Sequence, residues 1–223
     1  MNLSEIREEL SELVSGRVAV ADGMVPPLVF VIAHEVWGVL AAAFLGVGSA
    51  VGITLWRIYR GKPVRFAVAG LGGVVVAAML ALRSGSADDF FVPGILSGGL
   101  TSLVIVVSIA VGRPFVAWTS WLARGWPVAW YWHPRVRPAY TRASWIWLLY
   151  FAGRTLLQWR LYEAGSTELL AGARLILGWP TLLVLLVVTY VLGRRWLTGL
   201  GGPSVAEFEG GDPPPWASQS RGF

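Results

Sequence analysis

Arg83-Ser84-Gly85-Ser86-Ala87-Asp88-Asp89-Phe90-Phe91-Val92-Pro93-Gly94-Ile95-Leu96 is a short charged turn set between two long apolar runs. Between Phe66 and Gly112 the chain carries no charges other than Arg83, Asp88 and Asp89. An ionisable side chain inside a bilayer is expensive unless it sits at the interface or in a polar cavity. The stretch therefore marks where one helical hairpin leaves the bilayer and turns back.

Composition agrees with that reading. The 223 residues are 55% hydrophobic and 14% charged, with a mean hydropathy of +0.61, whereas a soluble domain carries about a quarter charged residues. The net charge of +5 and pI near 10.1 raise nucleic acid as a partner, but the basic residues fall in short clusters beside apolar runs and form no patch, which argues for no nucleic acid. The absence of cysteine removes disulfides, iron–sulfur clusters and cysteine-based zinc sites. Met1 to Asp22 is acidic and amphipathic, without the basic and apolar regions of a signal peptide, so the first apolar run is expected to be retained.

Working outward, Asn2 to Val14 reads as a surface helix with Leu3, Ile6, Leu10, Leu13 and Val14 on one side. From Val25 to Trp56 the chain is apolar apart from His34 and Glu35. As a single helix it would be about 48 Å long, against a hydrocarbon core of about 30 Å. Two spans, roughly 25–40 and 42–57, are expected, joined by a tight turn whose position the sequence leaves open. Gly48 and Gly52 form a GxxxG pair suited to close helix contact. Further spans are expected at about 66–83, 91–112, 143–162 and 169–192. Pro93 sits in the first turn of its span, where a missing N–H costs least, and Gly98-Gly99 predicts a close crossing. The expected fold is all-α, a polytopic membrane helical bundle of about six transmembrane helices arranged as three hairpins. Residues 1–22 would be a cytoplasmic amphipathic helix, 23–196 the transmembrane domain and 197–223 a disordered cytoplasmic tail rich in Gly and Pro.

With six spans, fourteen of the eighteen Lys and Arg residues fall on one side, so both termini are expected in the cytoplasm of a cell-membrane protein. The remaining four are Arg83, Arg154, Arg160 and Arg174. Gly61-Lys62-Pro63-Val64, Gly112-Arg113-Pro114-Phe115 and Gly193-Arg194-Arg195 each follow the second helix of a hairpin, the pattern of a weak internal repeat or of three independent basic exits. Between the fourth and fifth spans, at about 115–138, Trp118, Trp121, Trp126, Trp130 and Trp132 are expected to form an interfacial belt. The alternative, an aromatic cage for a cation, needs converging ring faces.

Three blocks, Arg83 to Leu96, Arg135 to Trp145 and Ala173-Arg174-Leu175-Ile176-Leu177-Gly178-Trp179-Pro180, resemble in order the signature blocks of the actinobacterial DUF3159 membrane protein family. Pro26-Pro27-Leu28-Val29-Phe30 resembles that family's first helix, and the resemblance covers roughly residues 12 to 196. It implies a multi-pass membrane protein of the bacterial envelope. The family's function is unknown, so no catalytic residues carry over.

His34-Glu35 lacks a second histidine at zincin spacing, and there is no P-loop, GxSxG or cysteine nucleophile. No enzyme class, metal or cofactor is indicated. The polar residues expected towards one leaflet are Glu35, Arg83, Asp88, Asp89, Arg154, Gln158 and Arg174, with Arg160 and Glu163 nearby; residues 154 and 158 share a helical face. One reading is a structural lock, with Arg154 and Arg174 paired to Glu35, Asp88 or Asp89. The other is a cavity in which the arginines clamp an anionic solute or lipid headgroup. The bilayer is the one partner expected on either reading; oligomeric state is not legible.

Overall fold

The computed structural model describes residues 17–60, 65–219 and 222–223, with the side chains of a few of these left aside. The expected surface helix at 2–14 and the Gly61-Lys62-Pro63-Val64 exit lie outside the described residues. The described chain is helical: α1 (Arg17–Tyr59), α2 (Arg65–Ser84), a 3-10 turn (Ala87–Phe91), α3 (Val92–Ala110), α4 (Phe115–Arg124), α5 (Val128–Tyr131), α6 (Arg137–Glu163), α7 (Thr167–Ile176), α8 (Trp179–Leu200) and α9 (Val205–Gly210). Among the described residues, three stretches are long and apolar enough to cross a membrane: Val25–Tyr59, Ala87–Ala110 and Thr167–Leu200. Gly70–Ser84 is apolar but shorter.

The chain divides into two compact units, residues 1–95 with 158–179 and residues 96–157 with 180–223. In the first unit α1 is broken at Gly38, whose φ of 78° and ψ of −179° are not helical. Only glycine adopts that backbone without strain. A Cβ on Gly46 would lie 3.4 Å from Phe30 Cβ and 3.7 Å from the Pro26 carbonyl oxygen, although sixteen residues of straight helix would separate Phe30 from Gly46 by about 24 Å. The two arms are therefore antiparallel. Buried Ala33, Ala42 and Ala43 let them approach; between helices in lipid such contact is driven by packing, since tails are as apolar as the side chains. The turn whose position the sequence leaves open thus falls at Gly38. Gly48 and Gly52 have nothing within 4 Å of a Cβ, so the contact glycine of this hairpin is Gly46, outside the GxxxG pair.

The same unit packs α2, the 3-10 turn and α7 around Phe30, Phe90, Phe91 and Leu170. Phe30 and Phe90 stack with ring centroids 3.9 Å apart, anchoring the turn to the first arm of α1.

In the second unit Gly98 does make the expected close crossing: a Cβ there would overlap Thr155 Oγ1 of α6. Trp147 of α6 donates to Thr189 of α8 at 3.4 Å, while Arg142 lies 5.9 Å over the Trp196 ring, so α6 and α8 run antiparallel. The expected sixth span at 169–192 is interrupted at Leu177-Gly178, which separates amphipathic α7 from apolar α8.

The Trp-rich segment departs from a simple belt. Trp118 and Trp121 are exposed on α4, whose Val116, Ala117 and Ser120 face inward. Trp130, however, is 0% exposed. It packs with Trp126, Tyr131 and Tyr140 and donates Nε1–H to the Pro203 carbonyl at 2.9 Å. An indole buried this way needs a partner for its N–H, and the tail supplies it. In the segment from 199 onward, where Gly and Pro predicted disorder, Leu200, Val205, Phe208 and Phe223 pack against this cluster. Within it α9 carries a capping box, Ser204 Oγ accepting from Glu207 N at 3.3 Å and Glu207 accepting from Ser204 N at 2.7 Å.

Candidate functional site

The 3-10 turn that follows α2 exposes its two aspartates only in part, because Ala87, Phe90 and Phe91 of the same five residues are buried. A second turn meets it. Gly165, with φ 64°, ends α6, and its left-handed backbone lets Gly165 N–H bond Tyr162 O at 3.0 Å and Ser166 N–H bond Leu161 O at 3.2 Å. That turn places Tyr162 on its near side and Thr167 on its far side.

Each hydroxyl then finds a carboxylate. Tyr162 O–H donates to Asp89 Oδ1 at 2.5 Å, and Thr167 O–H donates to Asp88 Oδ1 at 2.6 Å. Both lie at the short end of the O–H···O range. Such a bond contributes about 1.5–3 kcal/mol where water is excluded and less where the group is half exposed. Neither the ion-pair lock nor the anion cavity named these two hydroxyl donors.

The remaining candidates differ in exposure. Arg174, in the last turn of α7, lies with its guanidinium carbon 5.7 Å over the Phe91 ring and 3.6 Å from where a Cβ on Gly94 would stand. Gln158 is 5% exposed within the same unit. Glu35 and Arg83 are exposed. Arg154 belongs to the second unit. Arg160 approaches Glu163 at 4.0 Å on an exposed face, a contact of little energetic weight. Tyr162 and Thr167 were not among the sequence candidates; the available clue was two hydroxyl residues flanking the Glu163-Ala164-Gly165-Ser166 turn.

What the fold defines is an all-helical protein with several apolar helices long enough to cross a membrane. The chain belongs to the family described as a protein of unknown function, DUF3159, whose model matches residues 14–198. Comparison with curated proteins and with solved structures finds no match.

Proposed function

We propose that this is a multi-pass protein of the cell membrane in which the Asp88–Asp89 turn has a structural task, fastening the α2–α3 connection to the α6–α7 connection, rather than lining an anion-binding cavity. The observation that carries this is the pairing of both aspartates with hydroxyl donors. It leaves the carboxylates satisfied without an arginine and gives the two turns a defined register. Arg174 over Phe91 then serves as packing, its charge delocalised against a ring face. The reading keeps six crossings, with the arms of α1 counted separately and with α2, α3, α6 and α8 as the others. The crossing by α6 draws least support from composition, because Arg154, Gln158 and Arg160 lie on it. Arg113, Arg137, Arg142, Arg194 and Arg195 near the helix ends of the second unit support a cytoplasmic position for that end under the positive-inside rule.

Thermal unfolding of purified protein in detergent tests the structural task. Phosphate, citrate and anionic lipid are each expected to leave Tm unchanged, whereas Thr167→Val and Tyr162→Phe lower it. A concentration-dependent rise in Tm with one of those anions, abolished by Arg174→Gln, would establish the cavity instead, since a ligand of the native state stabilises by mass action. Orientation is tested in intact cells on the cysteine-free background: an impermeant thiol reagent should label Ser86→Cys and spare Glu209→Cys until the membrane is opened.

A further inference from the structure

We propose that the second unit carries a peptide-docking seat for a glycine followed by an aromatic residue, filled here by the chain's own Gly222-Phe223. Four separate features shape it. The Phe223 ring lies parallel to Tyr140, with centroids 4.5 Å apart and an interplanar angle of 5°. Gly193 of α8 lies against the same ring so closely that a Cβ there would overlap its Cγ, Cδ2 and Cε2 atoms. Arg124, at the end of α4, donates Nε–H to the Phe223 carbonyl oxygen at 3.2 Å. A Cβ on Gly222 would stand 2.7 Å from Arg124 Nη1 and 2.9 Å from Trp126 Cη2.

The selectivity follows from these contacts. The slot between Tyr140 and α8 exists because residue 193 has no side chain, and its flat shape suits an aromatic ring above a branched aliphatic one. The position before the ring favours glycine, because its φ of 77° strains any side chain and Arg124 and Trp126, stacked at 5.0 Å, close over it. Arg124 reads the main-chain oxygen. The seat opens on the Trp130–Tyr131–Tyr140 cluster, so its occupant also shields Tyr140, whose ring is 0% exposed. The tail is thus a ligand held in cis, and a second segment of the same chemistry would compete with it for the seat.

A stability cycle and a binding measurement on the full chain test this. Gly193→Ala should lower Tm in the otherwise native protein, because the methyl displaces Phe223. In a Phe223→Ala background the same change should leave Tm unaltered or raise it, since alanine is the better helix former. A labelled peptide spanning Gln219–Phe223 should bind the Phe223→Ala protein, bind the native protein at least tenfold more weakly, and lose at least tenfold in affinity when Gly193→Ala is added. Equal Tm losses in both backgrounds would overturn the seat, as would peptide binding that is absent from the Phe223→Ala protein or the same in all three proteins.

Discussion

Phe30 lies beneath Gly46: a Cβ on Gly46 would stand 3.4 Å from the Cβ of Phe30, sixteen residues earlier in the chain. The contact exists only because α1 doubles back at Gly38. By the same antiparallel register Ala33 should face Ala43, and both are buried in one core cluster. The double variant Ala33→Cys/Ala43→Cys is expected to form an intramolecular disulfide on mild oxidation, seen as a gel shift reversed by reductant. A continuous helix would hold those positions about 15 Å apart, well beyond disulfide reach. Gly38→Ala should cost about 1–3 kcal/mol, the usual penalty for forcing a side chain into a glycine-only backbone.

The hydroxyl–carboxylate pairs at the 3-10 turn predict a specific hierarchy of stability losses. Tyr162→Phe removes the donor to Asp89 and keeps the ring, so the loss is that of one charge-assisted hydrogen bond at a half-exposed position, about 1–2 kcal/mol. Thr167→Val is nearly isosteric and should cost a similar amount through Asp88. Arg83→Gln, on an exposed side chain, should change stability by no more than about 0.5 kcal/mol. Chemical or thermal unfolding of the three variants in one detergent gives the ranking directly.

Parts of this architecture can be read from the sequence and parts cannot, for identifiable reasons. Gly98-Gly99 announced a close crossing because small residues have few other uses in the middle of an apolar helix, and Thr155 fills the space they leave. Gly38 gave no stronger signal than Gly46, Gly48 or Gly52, since backbone torsion leaves no mark on composition. The charged turn identified Asp88 and Asp89, but their partners lie 73 and 79 residues away, and no spacing rule joins residues brought together by tertiary packing. Trp130 differs from Trp118 only in which side of a short helix it occupies and in the tail that covers it. Ser204 and Glu207 do have capping-box spacing, a local signal outweighed by the Gly and Pro around it.

Tail packing should weaken in acid. Burial, with Arg135 beside it, pushes the His133 imidazole below its ordinary value, and the ring sits against Phe208 and Trp216 with Nδ1 accepting from Arg135 N at 3.3 Å. The backbone N–H groups of Ala217 and Ser204 hold Glu207 below its ordinary value of 4.5. Both folded values are depressed, so the native state binds fewer protons than the unfolded one. Stability is complete above about pH 6.5, is lost first as His133 is protonated below that, and falls further below 4.5 as Glu207 takes up its proton. Protection of the α9 amides against hydrogen exchange, taken relative to the intrinsic rate at each pH, should fall in those two steps, and His133→Phe, which keeps a ring against Trp216, should remove the upper one.

The indoles of the second unit should separate into two populations. Trp118 and Trp121 are exposed on the outward face of α4, at 41% and 37%, and are expected at the level of lipid headgroups. Trp130 is sealed beneath the tail and bonded to Pro203. In vesicles, brominated lipid should quench the emission lost in a Trp118→Phe/Trp121→Phe variant far more than that lost in Trp130→Phe. Stability should sort them in the opposite order. Trp130→Phe strands the Pro203 carbonyl in a dry core and leaves a gap beside Tyr140, a loss of about 1–3 kcal/mol, whereas the α4 substitutions exchange one apolar ring for another at an exposed position and should leave Tm in detergent close to native. Equal quenching of Trp118 and Trp130 would mean that the tail does not cover the aromatic cluster in the bilayer, and the packing of α9 and Phe223 on this unit would then have to be abandoned.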